Sequence, residues 1–130
     1  MATQAPVLIV DGNPHMTAML QRFLTRQQVG VQTVLSPVEA QAVLAQQPFR
    51  VVLTDGFAAS GDGLGLLRYI RQIAPGTRVI LMAAFVAPEL RHSTLAAGAY
   101  ACIAKPFRLQ EIWTILDAAL QGFPAPEAHR

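Results

Sequence analysis

Val51-Val52-Leu53-Thr54-Asp55, followed by Gly56-Phe57-Ala58-Ala59-Ser60-Gly61-Asp62-Gly63, is the stretch whose reading decides the fold. A run of β-branched and apolar residues that stops at one acidic residue and passes into small residues predicts a strand buried on both faces that delivers a carboxylate to the sheet edge. Ligands of open α/β sheets gather beyond the carboxyl ends of the strands, which makes Asp55 a candidate functional group. The plainer alternative is that Asp55 only caps the loop or the next helix.

The same layout occurs upstream, where Val7-Leu8-Ile9-Val10 ends in Asp11-Gly12-Asn13-Pro14. Asn13 suits a helix cap and Pro14 a first helical position, and Met16, Met19, Leu20, Phe23 and Leu24 recur at helical spacing. Asp11 could equally be a turn residue, since Asp-Gly favours turns. After Val29-Gly30, Val31–Leu35 predicts an outer strand, and Ser36-Pro37-Val38-Glu39 has the capping-box pattern. The helix it opens is expected to run to about Gln46, with Val38, Ala42, Val43 and Ala45 buried.

Downstream of Asp55, Asp62-Gly63 opens a third helix with Leu64, Leu67 and Ile70 as its stripe, widened by Leu66 and Ile73 and stopped by Pro75-Gly76. Val79–Met82 predicts a fourth strand ending at Ala83-Ala84-Phe85. A fourth helix, about Ala87 to Ala97, is the least amphipathic, with Leu90 and Leu95 as its large apolar residues and Arg91, His92 and Ser93 expected at the surface. Ala101–Ala104 predicts a fifth strand, with Lys105-Pro106 at its end. A last helix from about Leu109 to Leu120 carries Ile112, Ile115, Leu116, Ala119 and Leu120. Residues 6–121 are expected to form one domain and residues 122–130, which lack periodicity, a mobile tail.

Strand and helix thus alternate five times, which predicts an α/β fold, a doubly wound five-stranded parallel sheet with five helices and right-handed crossovers. The usual flavodoxin-like order for five strands, 2-1-3-4-5, brings Asp11, Asp55 and Lys105 to one edge.

Composition narrows the function classes. The 130 residues are 52% hydrophobic and 14% charged, which suits one compact domain rather than a disordered chain. The net charge of +2 comes from scattered arginines, without the clustered charge and aromatics of a nucleic-acid surface. A lone cysteine, Cys102, excludes an internal disulfide and a cysteine-based zinc site and suits a reducing cytoplasm. No stretch reads as a signal peptide or reaches the roughly 18 apolar residues of a membrane span, so a soluble cytoplasmic protein is expected. His15, His92 and His129 are too scattered to suggest a metal site.

Two carboxylates a few ångströms apart repel, and both stay ionised readily only with a cation between them. Oxygen ligands without His or Cys point to Mg²⁺, which takes one or two carboxylates and keeps waters for a phosphate-bearing ligand. A lysine on a nearby strand end supplies positive charge for a transferred phosphoryl group. The chemistry deduced is phosphoryl transfer to an aspartate, a known nucleophile for that reaction.

On these residues the chain, from Val7 to Leu120, resembles the receiver (CheY-like) domain of two-component response regulators. The resemblance implies that Asp55 is the phosphoacceptor, Asp11 belongs to an acidic metal pocket, and Phe57 gives Mg²⁺ a backbone carbonyl. It implies that Lys105 counters the phosphoryl charge, with the Lys105-Pro106 peptide usually cis. Implied partners are a sensor histidine kinase or phosphotransfer protein and a downstream protein target, with a possible homodimer through the fourth helix, fifth strand and fifth helix. No direct contact with nucleic acid or membrane is expected, and the role is signalling rather than catalysis.

The departures from the family pattern also carry information. Gly12 stands where a second metal-contacting acid is usual, which weakens Mg²⁺ binding. Ala83 stands where a Ser or Thr hydroxyl reads the phosphoryl group, and Cys102 where a switch aromatic is usual. Tyr100 shares the face of Cys102 if both lie in the strand. Ala59 replaces a loop proline. Trp113 and the Arg91-His92 portion of the fourth helix are expected on the face used for dimerisation or output. Cys102 alone reads as a small buried residue rather than a redox sensor, and Phe57 as packing over its loop.

Two rival readings stay open. A phosphorylation-independent interaction module would keep the fold without the switch. A haloacid-dehalogenase type phosphatase would use Asp11 as nucleophile, but Asn13 stands where its second acid is needed. A flavin site would need a hydroxyl-rich loop after the first strand, which is absent.

Overall fold

The structure is a computed structural model that describes residues 5–56 and 62–126. Ten elements alternate in the chain: β1 (Val7–Val10), α1 (Pro14–Arg26), β2 (Val31–Val34), α2 (Pro37–Leu44), β3 (Val51–Asp55), α3 (Asp62–Ile73), β4 (Arg78–Ala83), α4 (Pro88–Ala96), β5 (Ala101–Ala104) and α5 (Leu109–Gln121). The five strands are parallel and lie in the order β2-β1-β3-β4-β5. That is the expected doubly wound order, with its switch point between β1 and β3.

Side-chain alternation divides each strand between two cores. Val7, Ile9, Val51, Leu53, Ile80, Met82 and Ile103 pack with Leu20 and Leu24 of α1 and Ile112, Ile115 and Leu116 of α5. Leu8, Val10 and Val52 face the other way, onto Ala40 and Leu44 of α2 and Leu66, Leu67 and Ile70 of α3. Because both faces are covered, β1 is buried throughout, which is why its sequence is an unbroken apolar run. Each of these fully buried aliphatic side chains contributes about 1.5–3 kcal/mol relative to exposure.

The helix starts follow their local chemistry. Asn13 Oδ1 accepts from the His15 backbone N–H at 2.9 Å, with Pro14 in the first turn. At α2, Ser36 Oγ accepts from the Glu39 N–H at 3.2 Å, while Glu39 Oε2 accepts from the Ser36 hydroxyl and the Leu35 N–H. This is the expected capping box, reaching one residue further back. The α5 helix ends at Gly122, whose φ of 84° places it in the left-handed region.

Four expectations about side chains are corrected. In α2, Val38 is 78% exposed and Ala42 and Ala45 also face solvent; the buried pair is Ala40 and Leu44, one helical turn apart. A short helix rich in Ala and Val offers no clear phase, and capping geometry turns Val38 outward. Ile73 lies past the buried stripe of α3 and is exposed. Arg91 is half-buried rather than at the surface. Trp113 packs edge-on against Phe23 of α1, with ring centroids 6.5 Å apart, and so belongs to the α1–α5 seam.

After α5 the chain turns back along the amino-terminal end of the sheet. Phe123 O accepts from Tyr100 Oη at 2.7 Å and from Arg78 Nη1 at 2.8 Å, and the Arg78 guanidinium stacks 5.0 Å from the Tyr100 ring centroid. Ala125 is buried against the α1–α5 core. These contacts are made by residues that the sequence reading assigns to a mobile tail.

Candidate functional site

The site sits where β1, β3 and β5 end. Asp11 follows β1, Asp55 closes β3 and Lys105 follows β5. Backbone bonds to neighbouring strands fix each position: Asp11 N–H donates to Val34 O at 3.2 Å, Gly56 N–H to Met82 O at 2.6 Å, and Lys105 N–H to Ala83 O at 2.7 Å. The approach at Gly56 is close enough that a Cβ there would stand 3.2 Å from the Met82 carbonyl oxygen. Glycine therefore lets the chain turn tightly over β4 after the aspartate.

Lys105 reaches back along the sheet edge to both acids. Its Nζ lies 2.8 Å from Asp11 Oδ2 and 3.5 Å from Asp55 Oδ1. The cation that two neighbouring carboxylates require is thus part of the chain itself. The two acids differ in access. The Asp11 side chain is 2% exposed, and its Oδ1 also accepts from the Asn13 N–H at 2.9 Å. Asp11 thus makes the turn and also contacts the lysine that reaches Asp55. Asp55 is 26% exposed, so it is the carboxylate that a large donor can approach. The Lys105-Pro106 peptide is cis, as the resemblance implies.

The donor set fits Mg²⁺ in a restricted way. Asp11 and Asp55 supply two carboxylates, enough for an ion that keeps several waters. Gly12 adds no side-chain oxygen, and Asn13 Oδ1 is committed to the α1 cap. Among the described residues no group of three or more His, Cys, Asp or Glu could hold a metal. Phe57, expected to offer a carbonyl, lies outside the described residues.

The two altered switch positions are both buried, Ala83 at the end of β4 and Cys102 in β5. Burial pushes the Cys102 thiol above its ordinary pKa, partly offset by a hydrogen bond with Thr94 and by the charge of Arg91. Burial likewise raises the Tyr100 phenol, with the Arg78 charge and hydrogen bond opposing. Sequence reasoning placed Arg91 at the surface and missed its inward contact: Nη1 donates to the Cys102 carbonyl at 2.8 Å. The available signal was an arginine on a helix of low amphipathicity, next in the chain to an outer strand of small residues.

Comparison with known proteins agrees with this geometry. The model of the response regulator receiver domain matches residues 7–117. The response regulator protein PilR of Pseudomonas aeruginosa is 32% identical over 88% of this chain and 26% of its own length. The transcriptional regulatory protein TcrA of Mycobacterium tuberculosis is 31% identical over 92% of this chain and 47% of its own. The chain therefore spans between a quarter and a half of these curated relatives. Among solved structures, a response regulator from Thermotoga maritima is 26% identical with a TM-score of 0.82, covering 91% of this chain and 99% of that one. A CheY-like receiver domain protein from Methanospirillum hungatei superposes with a TM-score of 0.85 at 22% identity, covering 92% of this chain and 96% of that one. Strand order, the acid pair with its lysine, and the match over residues 7–117 lead to one conclusion: the chain belongs to the response regulator receiver domain family of two-component signalling systems.

Proposed function

We propose that this receiver accepts a phosphoryl group on Asp55 from a sensor histidine kinase or a phosphotransfer protein, and signals through protein contacts rather than by catalysis of its own. The observation that carries the reading is the placement of Lys105 Nζ 2.8 Å from the buried Asp11 and 3.5 Å from the accessible Asp55. An Asp55 carboxylate oxygen attacks phosphorus, the bond to the donor breaks, and an acyl phosphate forms. Lys105 is positioned to neutralise the added charge, while Asp11 holds the lysine and, with Asp55, would bind Mg²⁺. Receiver domains generally bind Mg²⁺ at the phosphorylation site, where the ion balances phosphoryl charge. With Gly12 in place of an acid, affinity for the ion is reduced here.

Switching is atypical in this reading. A hydroxyl bonded to a charged group is worth about 1.5–3 kcal/mol, and Ala83 has none to offer a phosphoryl group. Cys102 replaces the aromatic that would otherwise change position. The target is a downstream protein, and a homodimer through α4, β5 and α5 is one form that contact can take. No helix among the described residues is long and apolar enough to cross a membrane; a cytoplasmic location accords with a kinase donor.

Intact-protein mass after incubation with acetyl phosphate, with and without Mg²⁺, tests the reading. One added phosphoryl group that Asp55→Ala abolishes is expected. No gain from acetyl phosphate or from any histidine kinase or phosphotransfer donor would sink it. The buried, hydroxyl-free and non-aromatic switch positions favour a second reading, a phosphorylation-independent interaction module whose partner binding survives Asp55→Ala.

A further inference from the structure

The α4 helix is held to the sheet by polar atoms more than by an apolar stripe. Thr94 is its one fully buried residue, and Leu90 and Leu95 are only half-buried. Its amino-terminus has no side-chain cap. Beside it, β5 is an outer strand, so part of its backbone lacks a strand partner. The Cys102 carbonyl is filled instead from the helix, by Arg91 Nη1 at 2.8 Å.

A second connection runs through the side chains. The Thr94 hydroxyl donates to the Arg91 carbonyl at 3.1 Å and lies beside the Cys102 thiol, offsetting part of the rise in its pKa. Arg91 thus ties helix to strand: its guanidinium reaches the Cys102 carbonyl while its own carbonyl accepts from Thr94. Thr94 and Cys102 are both fully buried, so withdrawing α4 would strand their polar atoms unless water entered.

We infer that the Arg91 contact clamps α4 to β5 in one arrangement, so that the α4–β5 surface is displayed constantly, whatever the state of Asp55. The inference deepens the reading of the switch positions and rests on it for their role, but the clamp itself does not depend on phosphoryl transfer. Two features act in the same direction. Ala83 has no hydroxyl with which to draw the chain between β4 and α4 toward a phosphoryl group, and Cys102 has no ring to swing.

Cys102 is the only cysteine in the chain, which makes its reaction with Ellman's reagent a direct report of α4 leaving β5. The rate would be measured at neutral pH on the wild type, Arg91→Met and Arg91→Gln, each checked for native circular dichroism. It would be repeated after acetyl phosphate and Mg²⁺, with phosphoryl occupancy read by mass. Both variants are expected to react at least tenfold faster than wild type, and phosphorylated wild type at the unmodified rate. Removing the Arg91 charge by itself makes the thiol less acidic and slower, so acceleration cannot come from that source. An Arg91→Met protein reacting at the wild-type rate, or phosphorylated wild type reacting tenfold faster, would overturn the clamp. Should Arg91→Met fail to fold, Arg91→Gln decides by the same criterion. Should no phosphoryl group be gained, the Asp55 reading suffers and the variants still decide the clamp.

Discussion

The two ends of the signalling path are built from different materials. At the strand ends, Asp11, Asp55 and Lys105 are fixed by the register of five parallel strands and by backbone bonds to their neighbours. At the α4–β5 edge, the connection is one side chain, Arg91, reaching the Cys102 carbonyl from a helix with little buried surface. The first region keeps the residue types its chemistry needs. The second carries Ala83 and Cys102, neither a hydroxyl nor an aromatic. Under the proposed function, a fold retains its phosphoryl site through its sheet while the readout, which depends on individual side chains, varies separately.

The largest expected effect breaks the first half of that contrast. Lys105→Met leaves a 2%-exposed Asp11 facing Asp55 without a cation. Removing one partner of a buried ion pair destabilises by about 3–5 kcal/mol, with the 21% exposure of Lys105 placing this case at the lower end. Denaturant titration is expected to show that loss, and phosphorylation by acetyl phosphate to slow at least tenfold; a variant as stable and as reactive as wild type would mean that the lysine is ornamental.

Gly12→Asp sharpens the contrast by restoring a donor. A Cβ at Gly12 would meet only Leu35 O, at an ordinary 3.7 Å, so the side chain can be accommodated. Tighter Mg²⁺ binding by about tenfold, or roughly 1.4 kcal/mol, is expected in calorimetric titration. An unchanged affinity would overturn the proposal that Gly12 weakens Mg²⁺ binding.

Ala83→Thr tests the readout. Alone, it is expected to stabilise the phosphorylated form by about 1.5–3 kcal/mol through a new hydrogen bond, seen as a larger thermal shift on phosphorylation. It should leave Cys102 as unreactive as before, because the Arg91 contact still holds α4. Full exposure of the thiol on phosphorylation of this variant would show that one hydroxyl suffices to restore the switch.

The smallest effect is a pH slope. The Cys102 thiol is raised by burial above its ordinary 9.0, so the native state resists ionisation that the unfolded chain permits. The associated stability is complete below pH 9 and declines as pH rises from there toward the folded value, by at most about 1.4 kcal/mol per pH unit. Cys102→Ser should flatten this slope in urea titrations between neutral and alkaline pH. Equal slopes in the two proteins would indicate that the thiol ionises as easily folded as unfolded.

Strand ends are legible in the sequence because apolar runs stop abruptly at Asp11, Asp55 and Lys105, and strand order then places all three together. The face of α2 is not, because Val and Ala at several positions leave its phase to the packing of Ala40 and Leu44. Trp113 reads as a surface aromatic until α1 supplies Phe23, a partner far away in the chain. Arg91 is hidden for a different reason. Its partner is a backbone carbonyl, which every residue possesses, so no residue type in the sequence marks the contact.

Arg78, Tyr100 and the Phe123 carbonyl give the molecule a second fixed pole. Register pairs Arg78 with Val51 and Met82 with Asp55, so this triad stands four residues, roughly 13 Å, below the level of the acid pair. That span exceeds the screening length of about 8 Å at physiological salt, so the part of Asp55's field that passes through solvent is largely screened there. A dye carried in place of the exposed Phe123 side chain would thus report events at the acids chiefly as mechanical displacement of α5 or β5, and an unmoving dye would be the signature of a scaffold.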